Sequence, residues 1–325
     1  MNRIHAPGGA GVDSTGGHEE PLPPDLLRRI REAGLTRRSH LATNARTMSN
    51  LAIYAGLSAI GFGARRAVVW GIVWLLQAIM LAGCWSAVHE AVHKSLYRSA
   101  LANRIAGVLW GMPCLLNYSL YQAFHFQHHR FTRSEGDTEL DTDPRTLGTY
   151  LRSFVYVGFF LKINAESIRA LAGGGVRYRC SPELRRRIRV DAIFLLLALA
   201  LLGAGLALAP WFTFAVWGAP LLISNVLTTA ALTTPEHYRC GWNGNQVAVT
   251  RTTTSNALLR WVYWNNNFHA EHHAAPFVPY NHLPALHVLM EDQLVWKSSS
   301  YIGFHAGVIA RLITRPLPSV ASRDA

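Results

Sequence analysis

Nine of the chain's 15 histidines fall in a pattern whose spacing can serve metal ions. They form His89-Glu90-Ala91-Val92-His93, His125-Phe126-Gln127-His128-His129 and His269-Ala270-Glu271-His272-His273, with a single His237 in Pro235-Glu236-His237-Tyr238. Residues three and four apart on a helix share a face about one turn apart. His89 and His93 can therefore point at one metal. In each HxxHH cluster the first and last histidines converge, while the adjacent one diverges enough to reach a second metal. Nine imidazoles suffice for two metals with coordination positions left for oxygen. A liganding imidazole also needs its other ring nitrogen held by an acceptor. Glu90, Glu236 and Glu271, inside or beside the clusters, can serve, as can Asp137, Asp141 and Asp143 after the second one.

These signals differ in specificity. HExxH alone is a zinc-protease signature with Glu90 as general base, but a zinc protease needs only one further ligand and this chain supplies two complete HxxHH clusters. Imidazole suits zinc, copper and iron, so ligand type does not choose the metal unaided. Hydrolysis requires a polar bond to cleave, whereas redox iron can attack an alkyl C–H bond, and the apolar setting of the clusters favours iron. For His237 taken alone, a satisfied interfacial histidine is the lesser alternative to a ligand. His282 and His287 read as structural or supporting, and His5, His18, His40 and His305 as bystanders. A metal transporter or sensor is a further class, disfavoured because the clusters lie outside the apolar spans rather than along a path across them.

The elements that position these residues are read from hydropathy. Half of the 325 residues are hydrophobic and 15% are charged, against roughly a quarter charged in soluble proteins. Apolar runs at 50–64 and 67–88, separated by Arg65-Arg66, and at 190–209 and 211–231, separated by Pro210, predict four crossings in two helical hairpins, since about 20 helical residues cross the hydrocarbon core. Residues 105–124 carry no formal charge, yet a crossing there would strand His89 and His93 on the wrong face. Gly107, Gly111 and Pro113 also make a poor continuous helix, so this stretch is expected to bend back or lie shallowly. The segment 150–170, broken by Lys162, Glu166 and Arg169, is expected at the interface.

The flanks are read in the same way. Residues 1–24 are expected as a disordered tail without the apolar core of a signal peptide, and its HAPGG run lacks the surrounding length of a haem domain. An amphipathic helix from Asp25, within an interfacial segment at 25–44, suits either a membrane surface or the body of the protein. The main domain spans 45–295 and a C-terminal tail 296–325. With four crossings, 29 of the 31 Lys and Arg residues lie on the histidine face, which marks it as cytoplasmic. That distribution, with no nucleic-acid motif, explains the net charge of +12 without a nucleic-acid partner. Cys84, Cys114, Cys180 and Cys240 are scattered and read as inert thiols.

The three clusters resemble the histidine boxes of the membrane fatty acid desaturase superfamily, bacterial desaturase-like members above all. The resemblance runs from about residue 45 to 290 and includes Asp141-Thr142-Asp143-Pro144, Thr250-Arg251-Thr252-Thr253 and the PYNHLPALH run after the third box. The first box departs by its three-residue gap and by Lys94-Ser95 where a glycine often follows, and Glu236-His237-Tyr238 is similar to a motif of hydroxylases and alkane oxidases. The resemblance implies an all-α membrane protein, four transmembrane helices bearing a cytosolic helical cap. In that cap the boxes and His237 would hold a di-iron site that uses O2 and two electrons from a separate ferredoxin or cytochrome. The implied reaction is desaturation of a fatty acyl or similar amphiphilic chain at the cytoplasmic face of a bacterial inner membrane, with hydroxylation of a lipid or small secondary metabolite as the alternative outcome.

Overall fold

A computed structural model of the chain describes residues 22–139, 143–155 and 157–314. Asp141, His5, His18 and nearly all of the expected N-terminal tail lie outside the described residues. Helices dominate: α1 (Pro24–Glu32), α2 (His40–Ala64), α3 (Ala67–Val92), α4 (Ala100–Gly111), α5 (Tyr118–Phe131), α6 (Leu147–Ser153), α7 (Val157–Leu171), α8 (Pro182–Leu208), α9 (Pro210–His237), α10 (Ala257–Val262), α11 (His269–Ala274), α12 (Leu283–Met290) and α13 (Tyr301–Thr314). Two three-residue strands, β1 (Arg251–Thr253) and β2 (Trp296–Ser298), pair in parallel with Arg251 opposite Trp296.

Three helices, α3, α8 and α9, are long and apolar enough to cross a membrane. They leave large apolar side chains on their outer faces, among them Val68, Ile72, Leu197, Leu201 and Phe212, as lipid-facing helices do. α2 is 25 residues long but carries His40, Asn44, Arg46 and Asn50 in its first half, which lowers its hydropathy. It starts ten residues before the expected apolar run, because Ser39 caps it by accepting from the Ala42 amide at 3.2 Å. It stops at Arg65, whose φ of 49° ends the helix in the left-handed region.

The turn between α2 and α3 and the turn between α8 and α9 lie at the same end of the molecule. There Phe62 meets Trp70 at 4.9 Å and Phe212 at 5.7 Å, and Trp70 meets Trp211 at 5.6 Å between ring centroids. The Trp74 indole N–H donates to the Ala215 carbonyl at 3.0 Å and ties α3 to α9. Within α9 the turns at Phe214–Gly218 and Ser224–Thr228 widen to π-helix, the first just before Pro220, which has no N–H to give to a regular helix.

The uncharged stretch 105–124 is not one helix. α4 ends at Gly111, Leu115 takes a φ of 51°, and α5 folds back from Tyr118. Gly107 permits the reversal: a Cβ there would stand 2.2 Å from the Tyr118 ring. That ring's hydroxyl donates to the Ala91 carbonyl at 3.0 Å and locks the α4–α5 hairpin onto the end of α3. Arg104 pairs with the buried Asp191 of α8, whose other oxygen accepts from the Ser119 amide at 3.0 Å. Asp191 is thus held inside the protein.

α1 uses its apolar stripe on the protein itself. Leu26 and Ile30 are buried with Leu35 against Phe268, Leu283 and Leu286. Asp25 sits in the first turn of α1 and pairs with Arg28, and Gly34, at φ 66°, makes the turn after α1. Residues 296–314, expected as tail, supply β2 and α13, which packs Val308 and Leu312 against Tyr150 and Tyr238.

Candidate metal centre

Four elements deliver the nine imidazoles. His89 closes the last turn of α3 and His93 caps it. His125, His128 and His129 lie on α5, His237 ends α9, and His269, His272 and His273 sit on the six-residue α11. α11 is short but fixed, since Trp264 and Asn265 bend the chain before it with φ of 52° and 56°, and the Asn265 amide donates to the Tyr280 carbonyl at 2.9 Å.

The rings sort into two groups. His89, His93, His125, His129 and His272 form one, His128, His237, His269 and His273 the other, and within each group one ring nitrogen per residue lies within 4.8 Å of every other. The spacing argument holds in detail: His125 with His129, and His269 with His273, converge as first and last members of their clusters, while His128 and His272 cross to the opposite group. The groups share a wall where His129 stacks on His273 at 4.1 Å.

The atoms at each centre match a cation. Nε2 of His93 faces Nε2 of His125 at 2.9 Å, and Nε2 of His272 faces Nε2 of His129 at 3.2 Å. In the other group Nε2 of His237 faces those of His269 at 3.0 Å and His128 at 3.2 Å. The buried Nε2 atoms of His89 and His273 have no hydrogen-bond partner at all. Convergent neutral imidazoles with orphaned nitrogens are the donor set of a transition-metal site. Burial first, and then the neighbouring rings, hold His125, His129, His269, His272 and His273 well below the usual histidine value of 6.5, and burial with His89 does the same for His93. His128 is the exception, since Glu139 and Asp137 outweigh its burial and lift it to about 9.

Outer nitrogens are held unevenly. His128 Nδ1 meets Asp137 at 2.8 Å, His273 Nδ1 meets Gln246 at 3.0 Å, His237 Nδ1 donates to the Val249 carbonyl at 3.1 Å, and His89 Nδ1 meets Glu90 at 3.2 Å. Glu90 is fixed in turn by Ser95 and the Tyr280 amide. Asp137 also accepts from the Arg133 amide at 2.8 Å, and Asp143 braces the Arg133 guanidinium at 2.6 Å. Glu236 lies 3.6 Å from His269 Nδ1, beyond a hydrogen bond, and accepts instead from Tyr263 at 2.9 Å and Asn266 at 3.0 Å. Glu271 reaches no histidine of either group; it accepts from Thr252 and pairs with His287. His282 meets the Arg37 carbonyl at 2.8 Å, His40 accepts from the Arg98 amide at 3.1 Å, and His305 bonds Tyr150 and the Ala231 carbonyl, all away from the two groups.

The sequence profile of fatty acid desaturases matches residues 66–305, which contain all nine of these histidines. The chain belongs to the fatty acid desaturase family. Over 236 residues it is 26% identical to a sphingolipid delta(4)-desaturase of Komagataella phaffii, covering 68% of this chain and 61% of that relative. The chain thus matches less than two thirds of the relative's length.

Against this family's histidine boxes lies a cavity of about 60 Å³. Its floor includes His89, His125, His128 and His269, its apolar wall Trp85, Tyr121, Phe124 and Phe159, and its polar wall Ser86, Glu139, Glu236 and Asn266. Three residues of the site escaped the sequence reading. Gln246 lies in a polar loop far from any box. Ser95 stands two residues beyond the first box. Glu139, 4.0 Å from His128 Nε2 and raised above the ordinary glutamate value chiefly by burial, stands two residues after Asp137, the one signal that could have found it.

Proposed function

We propose that the protein is an integral-membrane, O2-dependent di-iron oxidase that desaturates a fatty acyl or similarly amphiphilic chain. The observation that carries this is the sorting of nine imidazoles into groups of five and four around two centres, beside a cavity with an apolar wall in a chain of the desaturase family. His89, His93, His125, His129 and His272 would hold one iron, and His128, His237, His269 and His273 the other. Bound there, the two ions would supply the oxidising power that O2 and two electrons bring to an unactivated methylene.

The chain's own residues do the rest. Trp85, Tyr121, Phe124 and Phe159 bind the alkyl chain by excluding water from it and set which methylene lies against the histidines. Asp137, Gln246, Glu90 and the Val249 carbonyl hold the imidazoles in the tautomer that turns Nε2 inward. In overall balance, the chain gives up two hydrogens, O2 takes up two electrons and two protons, and two waters leave. The electrons come from a separate ferredoxin- or cytochrome-type donor.

In this reading α2 joins α3, α8 and α9 as a fourth crossing, in two hairpins whose tips share the aromatic contacts around Trp70. α4 to α7 and α10 to α12 form a cap on the cytoplasmic face of a bacterial inner membrane, the face that carries most of the basic residues. Expression in a lipid-producing host, with iron analysis and mass spectrometry of the lipids, tests the proposal. Two irons per chain and a product lighter by two hydrogens are expected. A product that gains oxygen would replace desaturase by hydroxylase, and one zinc with no iron would end the oxidase reading.

A further inference from the structure

Two polar side chains in the cavity wall each carry an atom with no partner in the protein. Ser86 is 2% exposed and its hydroxyl makes no hydrogen bond, not even to the preceding turn of α3, where a helical serine ordinarily turns. Asn266 is 5% exposed; its amide N–H donates to Glu236 at 3.0 Å, and its carbonyl oxygen is left without a donor. Each stands three residues before a histidine of a different group, Ser86 before His89 and Asn266 before His269, and all four residues line the same cavity.

A plain hydrocarbon segment in this cavity would keep both atoms dry and unpaired, which is costly. A serine hydroxyl can donate or accept, while an asparagine carbonyl only accepts. The pair therefore suits a group that donates and accepts at once, a hydroxyl or a secondary amide, and an ester or ether oxygen would leave Asn266 unmet. We propose that the substrate class is narrower than acyl chains: an amphiphile bearing a hydroxyl or amide close to the carbon that is oxidised, held between Ser86 and Asn266. Ser86 and His89, three residues apart on α3, are separated by about 5–6 Å, so that group falls within roughly four bonds of the reacting carbon. This inference rests on the oxidase reading above.

The test uses full-length, iron-loaded protein in lipid nanodiscs, without reductant, so that binding is read apart from turnover. The probes are stearic acid methyl ester and the series of its monohydroxylated positional isomers. At least one hydroxy isomer is expected to bind about tenfold or more tightly than the unsubstituted chain, the worth of one satisfied hydrogen bond in a buried site. With reductant and donor added, its oxidised carbon is expected within four bonds of the hydroxyl. Ser86→Ala is expected to cut the preference to about twofold by weakening the hydroxy isomer, with iron content and melting temperature reporting that the variant folds. Equal binding of stearate and every isomer by the wild type would overturn the proposal. So would a preference that survives Ser86→Ala, the result expected if the hydroxyl is recognised elsewhere in the protein. Failure of the underlying reading has a different signature: iron absent from the wild type, or no chain of either kind oxidised.

Discussion

The two imidazole groups are built from the same boxes but are braced differently. In the group of four, every ring is buried, and three of the four have an outer nitrogen held, by Asp137, by Gln246 and by the Val249 carbonyl. In the group of five, His93 and His129 are half-buried, only His89 has a carboxylate behind it, and the outer nitrogens of His125 and His272 have no partner. One group is enclosed and oriented from behind; the other has an extra imidazole and less support. Redundancy and bracing are two ways to keep a metal, and they fail differently.

Removing a ligand breaks the comparison most sharply. His237→Ala leaves three rings in the enclosed site and is expected to abolish turnover, by at least a thousandfold, and to reduce iron to about one ion per chain. His93→Ala leaves four rings in the other group and is expected to be as inactive while retaining more of the second iron, as read by elemental analysis of the purified protein. Equal iron loss in the two variants would show that the fifth imidazole is no spare. Weakening a brace comes next. Asp137→Asn keeps the shape at His128 Nδ1 but removes the charge, and loss of such an outer partner typically costs 10–100-fold in metal affinity. Competition with a chelator should show that loss at one iron, with the other unchanged.

Proton linkage sharpens the same contrast in metal-stripped protein. Six rings, His93, His125, His129, His269, His272 and His273, are held neutral well below 6.5, so the unfolded chain binds more protons as the pH falls below that value. Stability is therefore full above about 6.5 for these groups and lost on acidification. His128 runs the other way: its raised value, about 9 against 6.5 unfolded, gives stability that is present below 6.5 and lost as the pH rises through 9. Thermal melts of the stripped protein should peak near neutrality, with the steeper fall on the acid side. Asp137→Asn should flatten the alkaline limb, and an unchanged alkaline limb in that variant would remove Asp137 from the account.

How much of this was legible beforehand depended on whether the informative contact was local. The partition of the boxes follows from helical spacing within five residues, and the placement of His237 from its position at the end of a long apolar run. The α4–α5 reversal could be expected from Gly107, Gly111 and Pro113, although the reason Gly107 matters, the Tyr118 ring lying against α4, involves a side chain eleven residues away. Contacts between distant segments were not legible. Nothing local in Leu26 and Ile30 says that α1 packs on Leu283 and Leu286, nothing in Gln246 points to His273, and the amphipathic pattern of residues 301–314 does not announce a helix against Tyr150. Glu271 looked like a brace because it sits inside a box, but on a helix its neighbours in sequence face elsewhere, and it serves Thr252 and His287.

The smallest effect is expected where a histidine belongs to neither group. His305 lies on α13 with one ring nitrogen on the Ala231 carbonyl at 2.8 Å and the other on the Tyr150 hydroxyl, so both are satisfied within the protein and none is left for a metal. Its substitution by alanine removes two ordinary hydrogen bonds between α13, α9 and α6. Their net worth is about 1 kcal/mol each, which should appear as a melting temperature lower by a few degrees. Iron content and turnover should be unaffected. The comparison with His237→Ala is then between two histidines of similar setting, each bonded to a backbone carbonyl, that differ in where the second nitrogen points. Loss of iron from His305→Ala would mean that α13 positions the end of α9, and that the enclosed site is braced by more of the fold than its own hydrogen bonds.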